Sequence, residues 1–191
     1  MKRCEKDFVD KIRHILCSRE RKVIEYASFA RAAVLLPIFQ KEEECHLLLT
    51  RRTEQVKYHK GEISFPGGAF DKEDSVLEKT ALREAFEEIG LKENDVEIIG
   101  VLDDIVTVTQ FIVTPFVGHF PYPYSFKTSP VEIADLIEVP FSHLLGENCF
   151  SEREILRMGR RERVYAYQYG EHIIWGATAR ILKQFLDLVC E

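Results

Sequence analysis

Gly61-Glu-Ile-Ser-Phe-Pro-Gly-Gly68, followed after a polar gap by Ala81-Leu-Arg-Glu-Ala-Phe-Glu-Glu-Ile-Gly-Leu91, decides how the chain is read. The first half reads as a short strand running into a Pro-Gly-Gly turn, the second as a helix. Between Asp71 and Gly90 the apolar residues recur at helical rather than strand spacing. Val76, Leu77, Thr80, Ala81, Ala85 and Ile89 form one stripe, which predicts a buried helix face. Gly90 is placed to stop the helix, as a glycine just past the last turn commonly does.

The acids carry the chemistry. Glu84, Glu87 and Glu88 stand at i, i+3 and i+4, so their carboxylates share one helix face. Anions that close repel one another unless positive charge lies between them. A hard cation such as Mg²⁺ takes carboxylate and water oxygens in near-octahedral geometry. Arg83 reaches Glu87 at i+4, and Gly67 and Gly68 let the backbone come near, so the Gly68 carbonyl is a further candidate ligand. On spacing alone, a solvated helix face with ion pairs remains the alternative.

Taken with the Gly-Gly, the run Arg83-Glu84-x-x-Glu87-Glu88-x-Gly90-Leu91 resembles the Nudix box of the Nudix hydrolases; Arg83, Glu84, Ala85, Glu87, Glu88, Gly90 and Leu91 match. The front half departs: Gly68 to Arg83 is one residue longer than the standard box, and the early acid position falls on Asp74 or Ser75. Upstream, Leu48, Leu49, Thr50, Arg52, Thr53, Lys57, Gly61, Phe65, Pro66, Gly67 and Gly68 are similar to a second signature, that of the coenzyme A pyrophosphatases. Thr53 stands where that signature has Ser or Ala, and Lys57 where it has Arg. Lysine keeps the charge but lacks the planar fork that grips phosphate bidentately. The resemblance runs from about Arg31 to Leu188.

The resemblance implies an α+β protein with the Nudix fold, an α/β/α sandwich with a mixed sheet and a loop-helix-loop box. It divides the chain into an N-terminal helical extension, residues 1–28, and a hydrolase domain, residues 29–191. The implied activity is a pyrophosphohydrolase dependent on Mg²⁺ or Mn²⁺. Its substrate would be coenzyme A or a derivative, cut to adenosine 3′,5′-bisphosphate and a 4′-phosphopantetheine. Metal binding falls to Glu84, Glu87, Glu88 and Gly68. Glu87 is ligand or base, Arg83 the orienting partner, and Glu132, in a Pro-x-Glu-apolar element, an additional catalytic acid. Arg52, Lys57 and Lys60 are the expected phosphate contacts. Other Nudix substrates, ADP-ribose or a dinucleoside polyphosphate, share the box chemistry, and a ligand-sensing domain without hydrolysis is a further alternative. Intact acids speak against the last.

Composition bounds the rest. The chain has 191 residues, 46% hydrophobic and 30% charged, which describes a globular domain with a sizeable core. A net charge of −6 argues against nucleic-acid partners. No apolar run approaches a membrane span, and five scattered cysteines without CxxC spacing read as reduced thiols, so a cytoplasmic protein is expected.

Residues 5–25 read as an amphipathic helix with Phe8, Ile12, Ile15 and Leu16 on one side, packed on the domain's flank or, alternatively, in a homodimer contact. Arg31–Phe39 and Cys45–Arg51 read as a hairpin, with Arg51 and Arg52 on opposite faces. His59 is a weak candidate base. Asp103 and Asp104 are read as loop-capping acids, with an approach to the metal site as the alternative. Tyr122–Pro130 is expected to be a mobile segment over the site, Glu154–Arg163 a solvated turn, and Trp175 a core residue.

Overall fold

The structure is a computed structural model. It describes residues 2–56, 59–146, 148–157 and 160–190, with side chains described except at 2–7, 155–157, 160 and 162. Helix α1 (Lys2–Cys17) is followed by strands β1 (Ala30–Lys41) and β2 (Glu44–Arg52) and the short strands β3 (Ile63–Ser64) and β4 (Gly67–Ala69). Next come α2 (Leu77–Ile89), β5 (Glu97–Val101), β6 (Ile105–Val106), β7 (Phe111–His119), β8 (Ile133–Pro140) and the short α3 (Phe141–Leu144). Strands β9 (Phe150–Arg157), β10 (Arg160–Tyr169) and β11 (His172–Trp175) lead into α4 (Gly176–Val189).

The main sheet is mixed. β1 and β7 run parallel from Ala30↔Phe111 to Ile38↔His119, and the other pairings are antiparallel. β1 and β2 pair only near their shared hairpin, at Ile38–Lys41 with Glu44–Leu47. Further along they diverge, and β3 and β4 occupy the opening: β3 bonds β2 at Thr50–Arg51, and β4 bonds β1 at Ala32–Val34. The turn between them is therefore Phe65-Pro66, and the two glycines lie in a strand rather than in the expected turn.

Alternation along the strands makes two cores. On one face Ala33, Leu35, Phe39 and Leu48 pack with Ala81, Ala85 and Ile89 of α2. On the other Leu36, Ile38, Leu47 and Leu49 pack with Val9, Ile12 and Leu16 of α1 and Ile181, Leu182 and Phe185 of α4. Each fully buried Leu, Ile or Phe among them contributes about 1.5–3 kcal/mol. Helices thus cover both faces of the mixed sheet, as the α+β reading requires.

Four further expectations change. The first helix ends at Cys17, not near residue 25, because the next residues are held elsewhere. Arg19 donates to the Asp103 carboxylate at 2.5 Å, and Asp103 also accepts the Lys22 N–H. The wholly buried Asp104 side chain accepts from Arg21, Arg31, Thr114 and the Ile24 N–H. Both acids cap the strap joining α1 to β1. The Asp104→Ala variant leaves two arginines without their shared anion. It is expected to lose about 3–5 kcal/mol, read by urea denaturation.

Tyr122–Pro130 is anchored, not free. Tyr122, Tyr124 and Phe126 pack against the α2-side core, Tyr122 stacks on Phe39 at 4.8 Å, and the Lys127 and Ser129 N–H groups bond the Ile89 and Glu88 carbonyls. Residues 154–157 and 160–163 of the charged segment extend β9 and β10 as paired strands instead of a turn, and residues 158 and 159 lie outside the described residues. In β11 the inward residue is Ile174, fully buried, so its neighbour Trp175 faces outward and is 50% exposed, not in the core. No helix among the described residues is long and apolar enough to cross a membrane.

Candidate active site

Helix α2 brings the acids together, but it starts later than the spacing predicts. Residues 71–76 form a turn built around Asp74, whose carboxylate accepts the Asp71 N–H while its own N–H bonds the Asp71 carbonyl. Val76 consequently stays exposed, outside the stripe it was read into. At the other end Gly90 is left-handed at φ 71°, and the N–H groups of Gly90 and Leu91 bond the Phe86 and Ala85 carbonyls. The helix stops where the glycine predicts.

Asp74 is the functional residue that sequence reasoning left without a role. Its buried carboxylate receives Arg83 Nε at 3.0 Å and Nη2 at 3.1 Å, a bidentate pair, and the Thr80 hydroxyl at 2.8 Å. The Arg83 hydrogen bonds, aided by those of Thr80 and Asp71, outweigh burial and hold this carboxyl near 2, below the usual aspartate range. The signal was in the sequence: an acid near the early position of the box, and an arginine nine residues on. Arg83 then spends its remaining donors on the site. Nη1 reaches Glu84 at 2.8 Å and Glu87 at 3.2 Å, and Nη2 reaches the Ala69 carbonyl.

Glu84 and Glu88 point toward β4. The Glu84 carboxylate lies over Gly68 so closely that a Cβ there would sit 2.4–2.7 Å from its carboxyl atoms. Glu88 is 3% exposed and has Arg52 Nη1 at 3.5 Å from Oε1. Its Oε2 is buried with no hydrogen-bond partner. Burial, with repulsion from Glu84 and Glu132 and despite Arg52, pushes the Glu88 carboxyl up to about 8. Glu84 is also raised, first by burial, with Glu87 and Glu132 adding repulsion.

Glu132 occupies the turn before β8, close enough to both helix acids to repel them. Glu87 is the most open of the three helix acids, with its side chain 55% exposed and paired to Arg83. Arg52 and Arg51 face opposite sides of β2 as expected, Arg52 toward Glu88 and Arg51 toward Asp135 at 3.8 Å. Lys60 is exposed in the loop between β2 and β3, and Lys57 and Tyr58 lie outside the described residues. His59 bonds Glu62 at 2.8 Å. Asp103 and Asp104 hold the strap instead.

This donor set fits a hard divalent cation. Buried carboxylate oxygens that repel one another, one of them without a partner, are destabilised until a cation joins them. Among the described residues no three or more His, Cys, Asp or Glu side chains are grouped so as to hold a metal ion between them.

A model of the NUDIX domain matches residues 29–147 of the chain. The chain belongs to the Nudix hydrolase family. Among curated relatives, the protein named uncharacterized Nudix hydrolase NudL of Photorhabdus laumondii is 40% identical over 158 residues, covering 83% of this chain and 84% of that protein. The protein of the same name from an Enterobacter species is 40% identical over 154 residues, covering 81% and 80%. Among solved structures, a MutT/nudix family protein from Enterococcus faecalis aligns with TM-score 0.58 at 12% identity, over 95% of this chain and 73% of that one. The Ap4A hydrolase of C. elegans aligns with TM-score 0.51 at 16% identity, over 61% and 83%. These likenesses bear on the fold. As a Nudix hydrolase the chain is a pyrophosphohydrolase of small nucleotide substrates, a family that generally works with divalent metal ions.

Proposed function

We propose that this Nudix hydrolase cleaves the diphosphate of coenzyme A or of an acyl or oxidised derivative, giving adenosine 3′,5′-bisphosphate and a 4′-phosphopantetheine. The observation that carries the metal-dependent chemistry is the buried, partnerless Oε2 of Glu88, a carboxylate that Glu84 and Glu132 repel. The substrate reading is supported by the signature from Leu48 to Gly68. Among its described residues, Gly68 on β4 lies against Glu84 and Arg52 on β2 lies beside Glu88.

A diphosphate repels an anionic nucleophile, so the site needs positive charge on the non-bridging oxygens and a water made more acidic; bound Mg²⁺ or Mn²⁺ supplies both. Glu84 and Glu88 would hold the ion, with the Gly68 carbonyl and Glu87 as further ligands. Arg83, fixed by Asp74, keeps Glu84 and Glu87 in place. Arg52, Lys57 and Lys60 would meet phosphate oxygens. Glu132 is the proton acceptor in this reading, since Arg83 already engages Glu87. Residues 1–28 act as an extension of the domain 29–191, with α1 sharing its core.

The test is product analysis. Purified protein with Mg²⁺, and separately with Mn²⁺, is offered coenzyme A, 3′-dephospho-coenzyme A, ADP-ribose and a dinucleoside polyphosphate at equal concentration. Adenosine 3′,5′-bisphosphate from coenzyme A is expected, with the dephospho form cut at least about tenfold more slowly, because cationic groups built for the 3′-phosphate are left unpaired. Faster cleavage of ADP-ribose would keep the family chemistry and overturn the substrate.

A further inference from the structure

Thr53 opens the loop that leaves β2, and its polar groups all serve segments around the site. Its N–H donates to the Glu132 carbonyl at 2.8 Å. Its hydroxyl donates to the Val131 carbonyl at 2.6 Å and accepts the Gln55 N–H at 3.3 Å. The roles are settled by inventory: a carbonyl can only accept and an amide N–H can only donate, so the one hydroxyl proton lies toward Val131.

The two carbonyls matter because of where they sit. The Val131 carbonyl belongs to the peptide plane before the Glu132 Cα, and the Glu132 carbonyl to the plane after it. Those two planes define the only soft backbone torsions of Glu132. Holding both fixes the direction in which its side chain leaves the chain. From the other side, the Ser129 N–H bonds the Glu88 carbonyl at 2.8 Å, and the Glu132 and Ile133 N–H groups bond the Ser129 carbonyl. The turn is thus pinned to the last turn of α2 at one end and to Thr53 at the other. Among the described residues no hydrogen bond or ion pair holds the Glu132 carboxylate itself, so its aim depends on this backbone clamp.

We propose that Thr53 is a positioning residue for Glu132, and that its hydroxyl ties the start of the loop leaving β2 to the acid that accepts the proton. The proposal rests on the role given to Glu132 above. It also gives meaning to a hydroxyl-bearing residue here: alanine would keep the N–H bond to Glu132 and lose the bond to Val131, leaving the peptide plane before Glu132 held by the Glu132 N–H to Ser129 alone.

Four proteins decide it, assayed on coenzyme A with Mg²⁺, or on ADP-ribose should that be the faster substrate: parent, Thr53→Val, Glu132→Gln and the double variant, with Thr53→Ser as the rescue. Valine keeps the shape and the N–H and removes only the hydroxyl. Thr53→Val is expected to lower kcat about tenfold with KM little changed, as a misaimed proton acceptor would. Thr53→Ser is expected to stay near the parent. In the Glu132→Gln background the same valine should cost almost nothing more, since residues acting as a unit are not additive. An equal loss from valine in both backgrounds, or parent-like kcat in Thr53→Val, overturns the role of Thr53. Parent-like kcat in Glu132→Gln alone overturns the role of Glu132, and the Thr53 proposal falls with it. Thermal unfolding of each variant separates these outcomes from misfolding.

Discussion

Replacing Glu88 with glutamine is expected to remove most turnover while making the metal-free protein more stable near neutral pH. The two effects have one cause. Glu88 is 3% exposed, its Oε2 has no partner, and burial pushes its carboxyl from 4.5 up to about 8. A cation at this position supplies several kcal/mol of transition-state charge stabilisation, and each 1.36 kcal/mol is tenfold in rate, so a loss of about 10²–10⁴ in kcat follows. Glutamine has nearly the same shape and never ionises, so it avoids the cost of taking up a proton on folding that the raised Glu88 carboxyl imposes near neutral pH.

The pH dependence has a definite sign. Unfolded, Glu88 releases its proton near 4.5; folded and metal-free, near 8. Between those values the folded chain binds more protons than the unfolded chain, so stability is greatest at the acid end and falls as pH rises toward 8. Glu84, also raised, acts in the same direction. The Tm of the metal-free parent should therefore decline across this window. The decline should be smaller in Glu88→Gln, and Mg²⁺ should raise the parent's Tm more at pH 8 than at pH 5, where protons compete for the same oxygens. A Glu88→Gln protein with parent turnover would remove Glu88 from the site.

What could be read beforehand was whatever repeats at a fixed local period. The stripe through Ala81, Ala85 and Ile89, the stop at Gly90 and the spacing of Glu84, Glu87 and Glu88 are properties of one helix, and they hold. The hairpin of β1 and β2 and the opposite facing of Arg51 and Arg52 likewise need only the two-residue period of a strand. What escaped depends on contacts distant in sequence. Asp104 holds a strap some 80 residues earlier, which ends α1 at Cys17 although its residues are charged helix formers. The Tyr122–Pro130 segment lacks periodicity, yet Tyr122 finds Phe39 on β1, and Tyr124 and Phe126 pack on Phe120. Trp175 follows its strand's alternation outward, against the tendency of a large aromatic to be buried. Asp74 could be located but not interpreted, because one extra residue in the loop shifts the register while its side chain still reaches Arg83.

Gly67 and Gly68 allow a prediction in which adjacent identical substitutions part. Neither residue has a positive φ, so alanine is conformationally acceptable at both, and space alone decides. At Gly67 a Cβ would lie 2.4 Å from the Ala33 carbonyl oxygen and 2.7 Å from the Val34 Cα. Those atoms belong to β1, paired with β4 on one side and β7 on the other, and cannot retreat without opening the sheet. Gly67→Ala is expected to lower stability sharply or to prevent folding. At Gly68 the Cβ would instead meet Glu84 Oε1, Cδ and Oε2 at 2.4, 2.5 and 2.7 Å, the end of a flexible side chain. Glu84 can swing aside, so Gly68→Ala should fold with a Tm close to the parent's. The carboxylate would then be displaced by about 1 Å, enough to cost roughly 10² in kcat where geometry is catalytic. Half-saturation with Mg²⁺ should rise as well. Arg83 cannot prevent the displacement: its Nη1 must follow Glu84 or release it, while Nε and Nη2 stay bound to Asp74. Parent-like turnover in a well-folded Gly68→Ala protein would mean that Glu84 works from another position, and the assignment of the metal to the β4 side of α2 would fail.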